Sequence, residues 1–163
     1  MAIAFGSNLG DSSGTIIKAA SRVAELIVHF QLAPLYATSP MYVENQPEFV
    51  NTVGIGNTEL SPRALLAQLK QIEQELGRVP TEPNGPRIID IDLLTYGAMR
   101  YSWHCDGDRA LVIPHPRMHE RRFVLVPLSD LDGGFVIPGV GNIGDLLHGD
   151  FAGQELRKLD FVG

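Results

Sequence analysis

Two strand-like runs follow one another with no helix between them, and a helical segment flanks the pair on each side. "QLAPLYATS" (31–39) reads as a strand, with Pro34 suggesting an edge or a bulge. "FVNTVGIGNTEL" (49–60) alternates and reads as a second strand, after the loop "PMYVENQPE". Neighbouring strands without a helical crossover pair antiparallel. That condition removes the parallel α/β architectures.

The segments on either side fill in the frame. "AIAFG" (2–6) reads as a short buried strand, followed by the turn residues "SNLGDSSG". Asp11 or Ser12 can cap the helix predicted over "TIIKAASRVAELIVHF" (15–30), whose apolar residues fall at 16, 17, 20, 23, 24, 27 and 28. "SPRALLAQLKQIEQELG" (61–77) has Ser61 as N-cap, Pro62 at the first helical position and Gly77 as a stop. "RIIDIDLLTYG" (87–97) is a strand, and a further short one is placed around "MRYSWHC" (99–105). "LVIPHPRMHE" is extended and then turns, "RRFVLVPLSDL" is a short helix, and "NIGDLLHG" supplies a last helical turn or two. The order β-α-β-β-α-β-(β)-α predicts an α+β fold: a ferredoxin-like sandwich, a mainly antiparallel sheet with helices packed on one face. With 163 residues, a single domain over 1–163 is expected, long enough to bury about 70% of its unfolded surface.

The strand at 87–97 carries an anomaly. In "RIIDIDLL", Asp90 and Asp92 share one face with Ile88, while Ile89, Ile91 and Leu93 take the other. The two carboxylates are roughly 6.5–7 Å apart along the strand. At an effective dielectric near 20 they repel by about 2.5 kcal/mol, and in open water by about a few tenths. Taken alone, the pair reads first as the wet face of an amphipathic strand. The alternative is a metal site, since two such carboxylates can hold one Mg²⁺ or two ions about 3.5–4 Å apart.

Charge helps to choose. The formal net charge of −6 argues against nucleic acid or a membrane surface as partner. Yet seven of the ten arginines (78, 87, 100, 109, 117, 121 and 122) lie around the aspartate pair in sequence. Arginine presents a planar fork of donors suited to phosphate. An acidic chain with arginines gathered about two aspartates suggests phosphate plus Mg²⁺, with scattered surface arginines as the alternative. One cysteine, Cys105, excludes a disulfide framework and fits a reducing cytoplasm. The opening "MAIAFGSNLG" lacks the features of a signal peptide, and no run reaches the ~20 apolar residues of a membrane span.

Other motifs are weaker. "GSNLGD" sits between a strand and a helix but lacks the Gly-Lys-Ser/Thr ending of a phosphate loop, so a structural turn is expected. His115 and His119 are four apart, but Pro114 and Pro116 flank His115 and disfavour the helix that would pair them on zinc. His115 as a donor to phosphate is the better reading. His104 and Cys105 are read as structural. Phe49 and Asn51 share a strand face, and an amide beside an aromatic ring can match the edge and face of a heterocycle.

Together, "FGSNLGD", "NQPEFVN", "GRVP…NGPRIIDIDLL" and "VIPHPRMHERRFVLVPL", in this order and spacing, resemble the 6-hydroxymethyl-7,8-dihydropterin pyrophosphokinases from about residue 2 to about residue 150. The resemblance implies transfer of the β,γ-diphosphate of ATP to the hydroxymethyl group of a reduced pterin, with release of AMP, in folate biosynthesis. It implies that Asp90 and Asp92 bind two Mg²⁺ ions. Arg78, Arg87 and Arg121 would meet the phosphates, and His115 the nucleotide. Leu66 and Glu73 would lie on the adenosine side. Thr38, Ser39, Pro40, Met41, Phe49, Asn51 and Phe123 would form the pterin side. Small-molecule substrates, no covalent intermediate and a cytoplasmic monomer are expected. One departure stands out: the loop between Arg78 and Gly85 reads "VPTEPN", without the cations that some relatives carry there, and Asn84 stands where some have Trp. If closure of this loop matters to the chemistry, closure and rate are expected to differ here.

Overall fold

The computed structural model describes residues 1–42, 44–104 and 110–160. Cys105 and Arg109 lie outside the described residues.

The strand β1 (Ala2–Ser7) occupies the middle of a six-stranded sheet. It pairs antiparallel with β4 (Phe49–Asn57) on one side and β5 (Asp90–Thr95) on the other. β2 (Val28–Leu32) and β3 (Tyr36–Thr38) share the far side of β4, and β10 (Leu156–Lys158) adds an outer strand to β3. The predicted antiparallel, ferredoxin-like arrangement is the one found.

Two helices cover one face. In α1 (Ser12–Ala24) the side chain of Asp11, not Ser12, caps the first turn by accepting from Gly14 N. In α2 (Pro62–Glu75) Ser61 caps through Ala64 N, with Pro62 first and Gly77 just beyond the end. Ile16, Val23, Leu65, Leu69 and Ile72 pack here on Ile3, Phe5, Ile91 and Leu93 of the sheet.

Helix α1 is shorter than predicted. It ends at Ala24, and Val28, counted on its apolar face, is exposed on β2. Val28 continues the helical stripe, but with Phe30 and Leu32 it also fits a two-residue period, and β4 offers these residues an open edge. Gly54 makes that edge accessible: a Cβ there would lie 2.4 Å from the Phe30 ring. The single strand predicted over 31–39 divides at Ala33–Pro34 into the end of β2 and β3. Thr52 Oγ1 lies 3.0 Å from both carbonyl oxygens freed by that break.

The opposite sheet face, where no helix was predicted, carries a second core. Ala2, Val53 and Leu94 pack there on Val124, Leu125 and Leu128 of α3 (Arg122–Leu131). Two small hairpins and a helical turn complete the described chain: β6 (Tyr101–Trp103) with β7 (Leu111–Ile113), β8 (Val136–Ile137) with β9 (Gly141–Asn142), and α4 (Ile143–Leu146). β8, β9 and β10 were not anticipated. Among the described residues no helix is long and apolar enough to cross a membrane.

Candidate active site

Strand β5 starts at Asp90, paired with Gly6, rather than at residue 87. The predicted alternation therefore holds from Ile89 onward, with Ile89, Ile91 and Leu93 buried in the first core. Ile88 departs from it and also packs toward that core. Asp90, Asp92 and Leu94 take the opposite face. Helix α3 covers Leu94, but the two aspartates lie past its N-terminal end and face a cleft.

That cleft has a cavity volume of about 160 Å³. Of the residues singled out from the sequence, Thr38, Ser39, Met41, Phe49, Asn51, Arg87, Asp90, Asp92, His115, Arg121 and Phe123 line it. Segments up to 85 positions apart in sequence thus supply one wall. Pro40, Leu66, Glu73 and Arg78 are not among the lining residues. Leu66 packs at the margin of the first core, and Arg78 reaches Asp90 from behind.

Asp90 is held by two arginines. Arg87 Nη1 lies 3.0 Å from its Oδ2 and Arg78 Nη1 3.3 Å from its Oδ1; Arg78 also donates to Ile89 O at 2.7 Å. Asp92 is contacted by a residue that sequence reasoning missed. Lys70 Nζ lies 3.6 Å from Asp92 Oδ1 and 4.0 Å from Asp90 Oδ1. Its position is set by Glu73 Oε1 and by Ile91 O, each 2.8 Å away. Glu73 Oε1 in turn accepts from Ile91 N at 2.6 Å. β5 is an edge strand, and α2 thus supplies the partners for the Ile91 peptide groups. Glu73, expected on the adenosine side, is only 5% exposed, with its carboxylate engaged inside the protein.

The electrostatics follow from crowding. Burial and the neighbouring Asp90 push the Asp92 carboxyl above the usual carboxylate range, against the pull of Lys70, His115 and Arg121. Burial works against the Lys70 ammonium, but Asp92, Glu73 and Asp90 outweigh it and raise its pKa. Burial raises Glu73 as well, despite Lys70. His115 is held below the ordinary histidine range by burial, although Asp92 opposes that shift. Its neutral ring accepts from Arg117 N at Nδ1, 3.2 Å away, so the proton resides on Nε2, where it can be donated.

Two buried polar atoms point to an anionic occupant. Arg87 Nε and Arg121 Nε have no hydrogen-bond partner among the described residues. A buried guanidinium N–H without a partner is costly, and a phosphate oxygen would satisfy it. Asp90 and Asp92 line the cleft with carboxylate oxygens of the kind that Mg²⁺ takes. Among the described residues no third His, Cys, Asp or Glu completes a metal-binding group, so such an ion would take its remaining oxygens from water or phosphate.

The aromatic part of the cleft adjoins the two arginines. Arg87 stacks over the Phe49 ring at 5.2 Å and Arg121 over Phe123 at 5.8 Å. Asn51 Nδ2 donates to Thr38 Oγ1 at 2.7 Å, which fixes the amide and leaves its Oδ1 to accept. "GSNLGD" is structural, as expected: Asn8, 2% exposed, ties three segments together. Its Nδ2 donates to Gln46 Oε1 and Pro47 O, and its Oδ1 accepts from Arg87 N. Gln46 Nε2 donates to Asn84 O. His119 lies on the turn before α3, 4.0 Å from Glu120.

The sequence profile of the 7,8-dihydro-6-hydroxymethylpterin-pyrophosphokinases matches residues 2–133. A 2-amino-4-hydroxy-6-hydroxymethyldihydropteridine pyrophosphokinase of Haemophilus influenzae is 36% identical over 160 residues, 97% of this chain and 96% of that protein. One of Bacillus subtilis is 35% identical over 131 residues, covering 79% and 75%. A folic acid synthesis protein of Dictyostelium discoideum is 41% identical over 136 residues, 83% of this chain but 20% of that protein. The chain thus spans a quarter or less of the first such multi-part relatives it matches. A crystal structure of Plasmodium falciparum HPPK-DHPS superimposes with a TM-score of 0.70 at 16% identity, covering 89% of this chain and 43% of that one.

Proposed function

Because the chain belongs to the 7,8-dihydro-6-hydroxymethylpterin-pyrophosphokinase family, we propose that it transfers the β,γ-diphosphate of ATP to the hydroxymethyl group of 6-hydroxymethyl-7,8-dihydropterin, a step of folate biosynthesis. The observation that carries this reading is one cleft lined by Asp90, Asp92, Arg87, Arg121, Asn51, Phe49 and Phe123.

In the reaction the pterin hydroxyl oxygen bonds to the β-phosphorus of ATP. The bond from that phosphorus to the oxygen bridging to the α-phosphate breaks, AMP leaves, and the hydroxyl gives up its proton. Transfers of this kind depend on positioning and charge stabilisation more than on covalent help from side chains. Asp90 and Asp92 would hold Mg²⁺, two ions by the family resemblance, which supplies charge neutralisation of the triphosphate and acidifies the hydroxyl. Arg87 and Arg121 offer their unpartnered Nε–H groups to phosphate oxygens, and His115 offers Nε2–H. Arg78 holds Asp90 and the Ile89 carbonyl, which fixes the start of β5. Phe49 and Phe123 present ring faces to the flat pterin. Asn51, set by Thr38, reads its edge, and Ser39, Pro40 and Met41 form the adjoining loop. Leu66 and Glu73 lie on the helix that backs the nucleotide side.

The test is nucleotide analysis after incubation with Mg-ATP, with and without the pterin, beside Asp92→Ala. Pterin-dependent AMP, lost in the variant, is expected. ADP would indicate a simple kinase, pyrophosphate a nucleotidyltransferase, and absence of any nucleotide product a binding protein.

A further inference from the structure

Lys70 stands where a metal-binding carboxylate pair has least use for a cation. Its ammonium is 3.6 Å from Asp92 and 4.0 Å from Asp90. Among the described residues it is the one cation within 4 Å of both carboxylates. It is also fixed. Glu73 Oε1 and Ile91 O hold it at 2.8 Å each, and only 17% of its side chain is exposed.

A divalent ion approaching the free protein therefore meets a pair of carboxylates that already has a resident positive charge. Arg78 and Arg87 act on Asp90 in the same direction. Among the described residues no third His, Cys, Asp or Glu joins the pair as a metal-binding group, and the Glu73 carboxylate is taken up by Lys70 and Ile91 N. A nucleotide triphosphate changes the balance, because it brings about four negative charges and several hard oxygen ligands into the same space.

We propose that Lys70 is a built-in counter-cation that prevents the Asp90–Asp92 pair from loading a divalent ion alone, so that metal enters the site together with the triphosphate. This rests on the activity proposed above and adds a positioning residue to it. Lys70 touches neither substrate in this account; it acts through the two aspartates.

The experiment measures Mn²⁺ binding to the full chain by calorimetry and by the paramagnetic resonance of free Mn²⁺, with and without a non-transferable ATP analogue. The wild type should bind Mn²⁺ weakly alone and tightly with the analogue. Lys70→Gln should bind Mn²⁺ alone about tenfold or more tighter than the wild type, the effect of removing one charge about 4 Å from the ligands at an intermediate dielectric. With the analogue present the difference should shrink to about threefold or less, since the phosphates then dominate the local charge. Lys70→Met carries the same expectation and decides the matter if the glutamine variant fails to fold. Lys70→Arg, which retains the charge, should resemble the wild type. Folded neutral variants that bind Mn²⁺ alone no better than the wild type would overturn the role of Lys70, even if AMP is still formed. No Mn²⁺ binding by the wild type even with the analogue would overturn the metal assignment beneath it.

Discussion

Glu73→Ala should destabilise the fold by about 3 kcal/mol, more than an average substitution. The variant removes the acceptor 2.6 Å from Ile91 N, on the edge strand that carries both aspartates. A buried N–H left without a partner costs about 1–3 kcal/mol. It also removes the counter-charge closest to Lys70. Breaking a buried ion pair from one side can cost about 3–5 kcal/mol. Here Asp92 and Asp90 remain 3.6 and 4.0 Å from the ammonium and absorb much of that loss. About 1 kcal/mol is left for this part, at the scale of a half-screened pair. Glu73→Gln keeps an acceptor for Ile91 and removes a charge that burial already disfavours, so it should retain most of the stability that the alanine variant loses. For a domain of this size the alanine variant should melt about 6–12 °C lower, with the glutamine variant close to the wild type. Urea unfolding with unchanged m-values would give both free energies. Equal stability of wild type and both variants would refute the reasoning. If in addition the KM for ATP rose, the side chain would be acting on the nucleotide rather than holding β5.

Three further outcomes are expected. Asp92→Asn should stabilise the protein near neutral pH, because burial and Asp90 together outweigh the pull of Lys70 on the ionised carboxyl, while abolishing turnover. The sign follows from the raised pKa: the cost of ionised Asp92 is absent below its unfolded value of 3.8 and grows as pH rises through the folded one, so the gain should vanish in acid melts. Tyr36→Phe should cost about 2 kcal/mol, because the buried phenol donates to Asp130 Oδ2 at 2.5 Å and ties β3 to α3; burial and that carboxylate push the phenol up to about 12, which ultraviolet titration would register. Gly6→Ala places a Cβ 2.9 Å from Asn51 Oδ1 and should raise the KM for the pterin about tenfold through one displaced hydrogen bond, with little change in the KM for ATP.

What could be read in the sequence was what local period and chemistry determine. Ile89, Ile91 and Leu93 announced one buried face of β5, and Asp90 and Asp92 the other, since a strand allows no other division. Ser61, Pro62 and Gly77 bounded α2 because caps and stops are local. The end of α1 was not legible, since Val28 continues the helical stripe and also fits a two-residue period with Phe30 and Leu32, and only the open edge of β4 decides between them. β10 was missed for a similar reason: "LRK" has one apolar residue, and its order comes from pairing with β3. The second core escaped notice because Ala2, Val53 and Leu94 are small or scattered until α3 lies on them. Within the site, residue types that advertise their chemistry were found. Lys70 was not: its position beside the aspartates depends on how α2 crosses the edge of β5, and a lysine in a helix gives no such signal. Asn8 was read as part of a turn, and its linking of the 40–48 and 79–87 segments emerges only in three dimensions.

The most direct measurement is the phosphorus resonance spectrum of the pterin product formed from ATP. The account predicts two mutually coupled resonances on the pterin, one from each transferred phosphorus, appearing in step with AMP and absent with Asp92→Ala. A single uncoupled resonance accompanied by ADP would contradict it, because the bond broken would then lie between the β- and γ-phosphates.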